Sequence, residues 1–156
     1  MDKITAIDLK AGLHIIEKHP YAISALGVAL SIIALKQSIS DRNSVNRVKQ
    51  EYENLLKMDP SDFATLEKHI EHITKRTKEI RDQIIALKEQ QLYSGVYKAV
   101  GAIALAPIAY FTGSSVLMTS MTAASLGTGL ASIINFYNCY ELGQMIKQLE
   151  QNGLIV

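Results

Sequence analysis

The sequence predicts an all-α fold, a membrane-anchored helical protein with an antiparallel coiled-coil hairpin and about three hydrophobic, transmembrane helices. The first observation behind this prediction is that residues 99–140 contain no Asp, Glu, Lys, Arg or His. The second is a heptad repeat of apolar residues in the charged middle of the chain. The third is that tyrosines cluster at the ends of the uncharged segments. A length of 156 residues suits one domain.

The predicted elements divide this single domain, 1–156, into consecutive segments. They are a short amphipathic N-terminal helix at 1–19, a first hydrophobic span at 20–40, a cytoplasmic helical hairpin at 41–93, a hydrophobic hairpin at 94–140 and a C-terminal tail at 141–156. In the first span, the uncharged run from Pro20 to Lys36 covers about 24 Å as a helix, slightly less than a hydrocarbon core of roughly 30 Å. Because the Lys36 amine can reach the headgroups, a span remains feasible.

The cytoplasmic hairpin is predicted from its breaks and caps. The polar sequence SISDRNS at 38–44 is expected to interrupt the helical structure, and a new helix should then run from about Arg42 to Lys57. Asp59 is a good N-cap for the next helix, and Pro60 suits its first position. We therefore expect the tip of the hairpin at Asp59–Pro60.

The return helix carries a sustained heptad seam. Charged residues fill its other faces, which is also typical of an amphipathic helix on a soluble core. The strict 3.5-residue period favours the coiled-coil hairpin, and the seam is longer than the outgoing arm can cover. The predicted partner-binding seam consists of Phe63, Leu66, Ile70, Ile73, Ile80, Ile84 and Leu87, with Thr77 in the same register.

The uncharged stretch 99–140 is too long for one membrane span and about right for two. The sequence GSS at 113–115 is the natural turn between them. Pro107 is tolerable in a membrane helix, where it would introduce a kink. The only charge predicted inside the first of these two spans is Lys98, one turn from the interface.

The tyrosines and the basic residues predict how the spans are placed. Tyr52 is the one tyrosine of seven that lies away from a predicted span end. The segment 36–98 holds twelve of the sixteen Lys and Arg residues. By the positive-inside rule, this segment should face the cytoplasm.

Small residues on the last span predict close helix packing. Ala123, Gly127 and Ala131 recur every four residues, beside a second ridge of the same period. Small residues let helix backbones approach in a membrane. Two interpretations remain open, packing within one chain and self-association, including around a pore.

No pattern in the sequence predicts catalysis, a metal site or a cofactor. His69 and His72 lie one turn apart, and surface histidines are the simpler interpretation because further ligands are absent from the pattern. The single cysteine, Cys139, excludes an internal disulfide framework and allows S-acylation or an inert thiol. The net charge of +1 gives no electrostatic case for nucleic acid. We therefore do not expect an enzyme.

The resulting function is an integral membrane structural or interaction protein, whose partners are the lipid bilayer and either a second copy or a helical protein. The alternative is a membrane-permeabilising, channel-like protein. A small-residue hydrophobic hairpin beside long amphipathic helices resembles, in outline, helical pore-formers and holins. A third alternative is a soluble bundle whose apolar hairpin is buried by partners.

Overall fold

The computed structural model describes residues 14, 16, 18–59, 61, 64–111 and 113–151. These residues form an all-α structure, as predicted, with long helices α1 (Pro20–Leu56), α2 (Leu66–Phe111) and α3 (Ser115–Gln151). Most of the predicted N-terminal helix lies outside the described residues, as do Pro60 and Phe63.

Helix α1 runs without interruption through residues 38–44, so the predicted polar break is wrong. Polar side chains weaken a helix when they bond to local backbone instead of continuing the helical ladder. Here Ser38 donates to Asn135 Oδ1 over 2.6 Å, and Arg42 donates to Asn138 Oδ1 over 3.1 Å. Since these side chains find partners on α3, the backbone of α1 stays helical.

The two connections between the helices are short. Helix α2 begins at Leu66, and the Thr65 hydroxyl caps it by accepting the Lys68 N–H over 3.3 Å. The predicted cap, Asp59, instead accepts the backbone N–H of Ser61 over 2.8 Å in the loop. The predicted turn at 113–115 is confirmed, because Gly113 adopts a φ of 59° between α2 and α3. This left-handed conformation suits glycine, which has no Cβ to clash.

Buried positions follow a heptad repeat on α1 and α3 as well as on α2, alternating between steps of three and four residues. On α1 the buried positions are Ser24, Gly27, Ser31, Ser38, Val45, Val48, Tyr52 and Leu55. On α3 they include Leu117, Met121, Ala124, Thr128, Ala131, Asn135, Asn138, Leu142, Met145 and Leu149.

The chain divides into two compact units, each built from parts of all three helices. The first unit comprises Met1–Gln37 and Val96–Ser132. The second unit comprises Ser38–Gly95 and Ile133–Val156. Their interiors differ in chemistry, which positions the candidate sites.

Candidate functional site

The outer surface of the first unit is covered by large apolar side chains. Ile103 is 71% exposed and Leu126 is 65% exposed. A soluble protein rarely exposes a large contiguous apolar area unless a partner or a membrane covers it. The exposed set in this unit includes Leu26, Leu30, Ile32, Ile33, Val100, Ile103, Met118, Leu126 and Leu130.

The interior of the first unit combines small and hydroxyl-bearing residues with an apolar cluster at Leu117 and Met121. Ser120 donates to the Ser24 hydroxyl over 2.7 Å, joining α3 to α1. Ser125 donates to the backbone carbonyl of Ala102 over 2.8 Å, joining α3 to α2. A Cβ on Gly27 would lie 2.9 Å from the Met121 Cε, so this glycine allows the two helices to approach. Close backbone approach and interhelical hydrogen bonds are the usual means of helix association in lipid.

The three predicted membrane-packing residues have different environments within the first unit. Ala131 is completely buried, and a Cβ on Gly127 would lie 3.1 Å from the Ser31 hydroxyl oxygen. Ala123 is exposed. A step of four residues turns about 40° beyond a full helical turn, so a ridge of that period rotates about 80° from residue 123 to residue 131. The structure therefore places one end of the predicted ridge inside the unit and the other outside.

Lys98 is a buried lysine in the first unit. Its side chain is 8% exposed, on the same heptad face of α2 as Gln91. From the sequence, Lys98 was expected near a membrane interface, and its burial was not predicted. Ionisable side chains in apolar surroundings are costly and are usually retained for a functional or structural reason.

The tyrosines at the predicted span ends differ from the remaining tyrosine in their exposure to solvent. All six tyrosines predicted to lie at span ends are exposed, and the seventh, Tyr52, is buried in the core of the second unit. Exposed tyrosines at both ends of an apolar surface are typical of the headgroup zone, since the ring is apolar and the hydroxyl is polar. The exposed set is Tyr21, Tyr93, Tyr97, Tyr110, Tyr137 and Tyr140.

The second unit has an apolar core that contains most of the predicted seam. Ile80 and Ile84 are completely buried, and Ile73 and Leu87 pack against the same cluster. The cluster draws on α1 through residues such as Val48 and on α3 through Leu142, Met145 and Leu149. The part of the chain predicted as a C-terminal tail therefore supplies a third helix that covers the seam.

The seam is uncovered near the tip of the α1–α2 connection. Leu66 is 67% exposed and Ile70 is 57% exposed. Leu56 and Met58, on the other side of the connection, are also exposed. We call these four residues the tip patch. Phe63 lies outside the described residues.

The second unit also contains a layer of buried polar side chains, which was not predicted from the sequence. Asn135 is the centre of this layer, because its Nδ2 donates to Asp41 Oδ2 over 3.1 Å and to Gln91 Oε1 over 2.5 Å. Asn138 Nδ2 donates to the same Gln91 oxygen over 3.1 Å. Gln91 Nε2 has no hydrogen-bond partner although Gln91 is completely buried. Polar residues at heptad core positions can specify the register of the helices.

Arg42 and Glu141 form an ion pair at the edge of this layer. The hydrogen bond from Arg42 holds the pKa of the Glu141 carboxyl below its ordinary value. The Arg42 guanidinium also lies 5.1 Å from the centroid of the Tyr137 ring, a cation–π distance. One pattern in the sequence could have indicated this site. The seven-residue spacing from Ser31 through Ser38 to Val45 places residues 38–42 on a helix that continues α1.

Within the described part of the chain, no group of three or more His, Cys, Asp or Glu side chains is arranged to hold a metal ion. Cys139 is a partly buried thiol. Two of the described helices, α1 and α3, are long and apolar enough to cross a membrane. Comparison of the chain with protein-family models, with curated proteins and with solved structures finds no match.

Proposed function

We propose that the chain is an integral membrane scaffold, whose first unit lies in the bilayer and whose second unit presents a helical surface to a protein partner. The observation that carries this proposal is the reversal of burial between the units. The first unit buries mainly Ser, Thr, Gly and Ala beside a small apolar cluster at Leu117 and Met121, and it exposes Leu, Ile and Val, whereas the core of the second unit is mainly apolar. Lipid solvates apolar side chains as well as a protein core does, so a membrane permits this reversal and water does not.

The low burial of the most apolar parts of α1 and α3 also supports the proposal. In the most apolar 18-residue stretch of each helix, 22% is buried in α1 and 39% is buried in α3. The core helix of a soluble bundle would be mostly buried. The third proposed span is the end of α2, which lies between the exposed Tyr97 and Tyr110 and contains Pro107.

The proposed orientation places residues 36–98 in the cytoplasm, because this segment holds twelve of the sixteen Lys and Arg residues. The α1–α2 arm then projects from the membrane as an antiparallel helical hairpin. The ion pair between Arg76 and Glu51, at 3.2 Å, joins its two helices.

Protease accessibility and alkaline extraction test the topology. The full-length protein should stay in the membrane pellet at alkaline pH. Protease added to inside-out vesicles should cleave near Asp59, and protease added to right-side-out vesicles should not. Extraction into the alkaline supernatant would contradict insertion, and cleavage from the outer side would contradict the orientation.

The tip patch is the proposed docking site for a second copy or a helical partner. Leu66 and Ile70 continue the heptad seam beyond the part that α1 and α3 cover. A photo-crosslinking residue at position 70 should give adducts with a partner or a second copy. The same residue at Glu71, exposed on the neighbouring face, is the matched control and should give few. Equal yields at the two positions would contradict docking on the seam.

A second candidate function is membrane permeabilisation, and the buried polar residues of the first unit favour it. Ser24, Ser31, Lys98 and Thr128 all lie inside this unit. If the helices of several copies separated and reassembled, these residues could line an aqueous path. Dye release from liposomes tests this candidate, and Gly127→Leu should suppress release because the added side chain meets Ser31. A wild-type protein that inserts but releases no dye would rule the candidate out.

A further inference from the structure

A groove on the second unit combines an apolar floor with a cationic edge. It has a volume of about 360 Å³ and is lined by Ile39, Arg42, Ile133, Ile134 and Tyr137. A second groove, on the first unit, has a volume of about 580 Å³ and no cationic side chain in its lining. Of the two grooves, the one at Arg42 therefore has the chemistry to hold an amphipathic anion.

Arg42 retains donors for such a ligand. A guanidinium carries five N–H groups. Within the described hydrogen bonds of Arg42, Nη1 donates to Asn138 and Glu141, which uses both of its hydrogens. Nε and Nη2 are the remaining donors, and the guanidinium carbon lies over the Tyr137 ring. Arginine forks of this kind bind phosphate through paired, charge-assisted hydrogen bonds.

The apolar lining lies on one side of Arg42 along both helices. Ile39 precedes Arg42 by three residues, which is about 4.5 Å along α1 toward the proposed span. On α3, Ile133 precedes Glu141 by eight residues, or about 12 Å, again toward the proposed span. Glu141 is also the first charged residue after the uncharged run 99–140. The cationic edge thus corresponds to the headgroup level, and the apolar floor leads from it into the hydrocarbon.

We propose that this groove binds one phospholipid of the surrounding bilayer, with its phosphate on Arg42 Nε and Nη2 and an acyl chain along Ile39 and Ile133. The proposal rests on the proposed membrane insertion of the first unit. Glu141 opposes the phosphate charge, since its carboxylate lies on the same guanidinium. The site is therefore held below its full affinity by its own ion pair, and removing the Glu141 charge should strengthen binding.

Native mass spectrometry of delipidated, full-length protein in mild detergent, titrated with dioleoyl phosphatidylglycerol, tests the proposal. Arg42→Gln should weaken binding about tenfold, since a charge-assisted hydrogen-bond pair is lost. Glu141→Gln should strengthen binding. Arg47→Gln removes an exposed arginine from the same helix and should leave binding unchanged. Equal affinity of the Arg42 and Arg47 variants would overturn the proposal, as would weaker binding by the Glu141 variant.

Ile133→Trp keeps the test decisive if Arg42→Gln disturbs the fold. This change fills the groove and leaves Arg42 in place, so lipid binding should fall while the helical circular dichroism signal is retained. Wild-type affinity in this variant would overturn the proposal. Alkaline extraction separates the two levels of failure. If the protein is inserted but none of the substitutions changes its lipid affinity, the groove proposal alone is contradicted. If alkali extracts the wild-type chain from the membrane, the proposed membrane insertion is contradicted as well.

Discussion

Leucine substitutions at Asn135 and Gln91 should have unequal costs, although both side chains are completely buried in the same polar layer. Asn135→Leu removes three hydrogen bonds, to Ser38, to the Asp41 carboxylate and to Gln91. Two neutral bonds contribute about 1 kcal/mol each, and the bond to a carboxylate contributes about 1.5–3 kcal/mol. Added apolar burial offsets roughly 1 kcal/mol of this sum. The expected loss of unfolding free energy is therefore about 2.5–4 kcal/mol.

Gln91→Leu removes two hydrogen bonds, those that its Oε1 accepts from Asn135 and Asn138. The same change removes Nε2, a buried donor without a partner, whose burial costs about 1–3 kcal/mol. Added apolar burial contributes a further gain, but the change also leaves the buried Asn138 Nδ2 without its acceptor, so the terms nearly cancel. We expect a change in unfolding free energy within about 1 kcal/mol of zero.

Denaturant unfolding in a mild non-ionic detergent, followed by far-ultraviolet circular dichroism, measures both variants. Asn46→Leu is the matched control, because Asn46 is exposed on α1. It should change the unfolding free energy by no more than about 0.5 kcal/mol. A cost for Gln91→Leu that equals or exceeds the cost for Asn135→Leu would refute the proposed hydrogen-bond arrangement.

Three further predictions concern packing, pH and the turn. Ala131→Leu should destabilise the protein by about 1–3 kcal/mol because it overpacks a filled position. Ala123→Leu is the control and should be nearly neutral in thermal unfolding. Equal effects of the two substitutions would contradict the packing of the first unit. The pKa of Glu141 is lowered by its hydrogen bond from Arg42, so its contribution to stability is complete above the unfolded-state pKa of about 4.3 and is lost as pH falls through the folded-state pKa. The stability difference between wild type and Glu141→Gln should therefore shrink on acidification, and a constant difference would refute this linkage. Gly113→Ala should lower the unfolding free energy by about 1–2 kcal/mol, because alanine is strained at the left-handed φ of this position. A Cβ there meets nothing within 4 Å, so no steric clash adds to this cost. An unchanged stability would show that the turn relaxes.

The helical content and the turn before α3 could be predicted from the sequence because they depend on local patterns. Residues 99–140 contain no charge, and Gly113 interrupts them about a third of the way along. The seam at Ile80 and Ile84 was also recognised, because the 3.5-residue period records which face of a helix is buried. That seam as a partner-binding site, and the third membrane span, remain predictions.

The break in α1 was predicted wrongly because polar residues were judged by local propensity. Ser38 and Asp41 favour turns when only neighbouring backbone is considered. In the folded chain their partner is Asn135, almost a hundred residues away, so no local window contains the information. Residues 142–149 belong to the predicted C-terminal tail, and nothing in their own pattern shows that they cover Ile80 and Ile84.

What the sequence determined by itself is the helical content, the uncharged length available to a membrane and the turn at Gly113, since each depends on residues close together in the chain. What the tertiary structure decided is which face of each helix lies inside. Each residue turns a helix by about 100°, so neighbouring small residues such as Ala123 and Ala124 point in different directions, and a composition rich in alanine and glycine does not reveal the buried one. Hydrogen bonds between distant side chains, such as those of Asn135, are likewise set by the way the helices pack against each other.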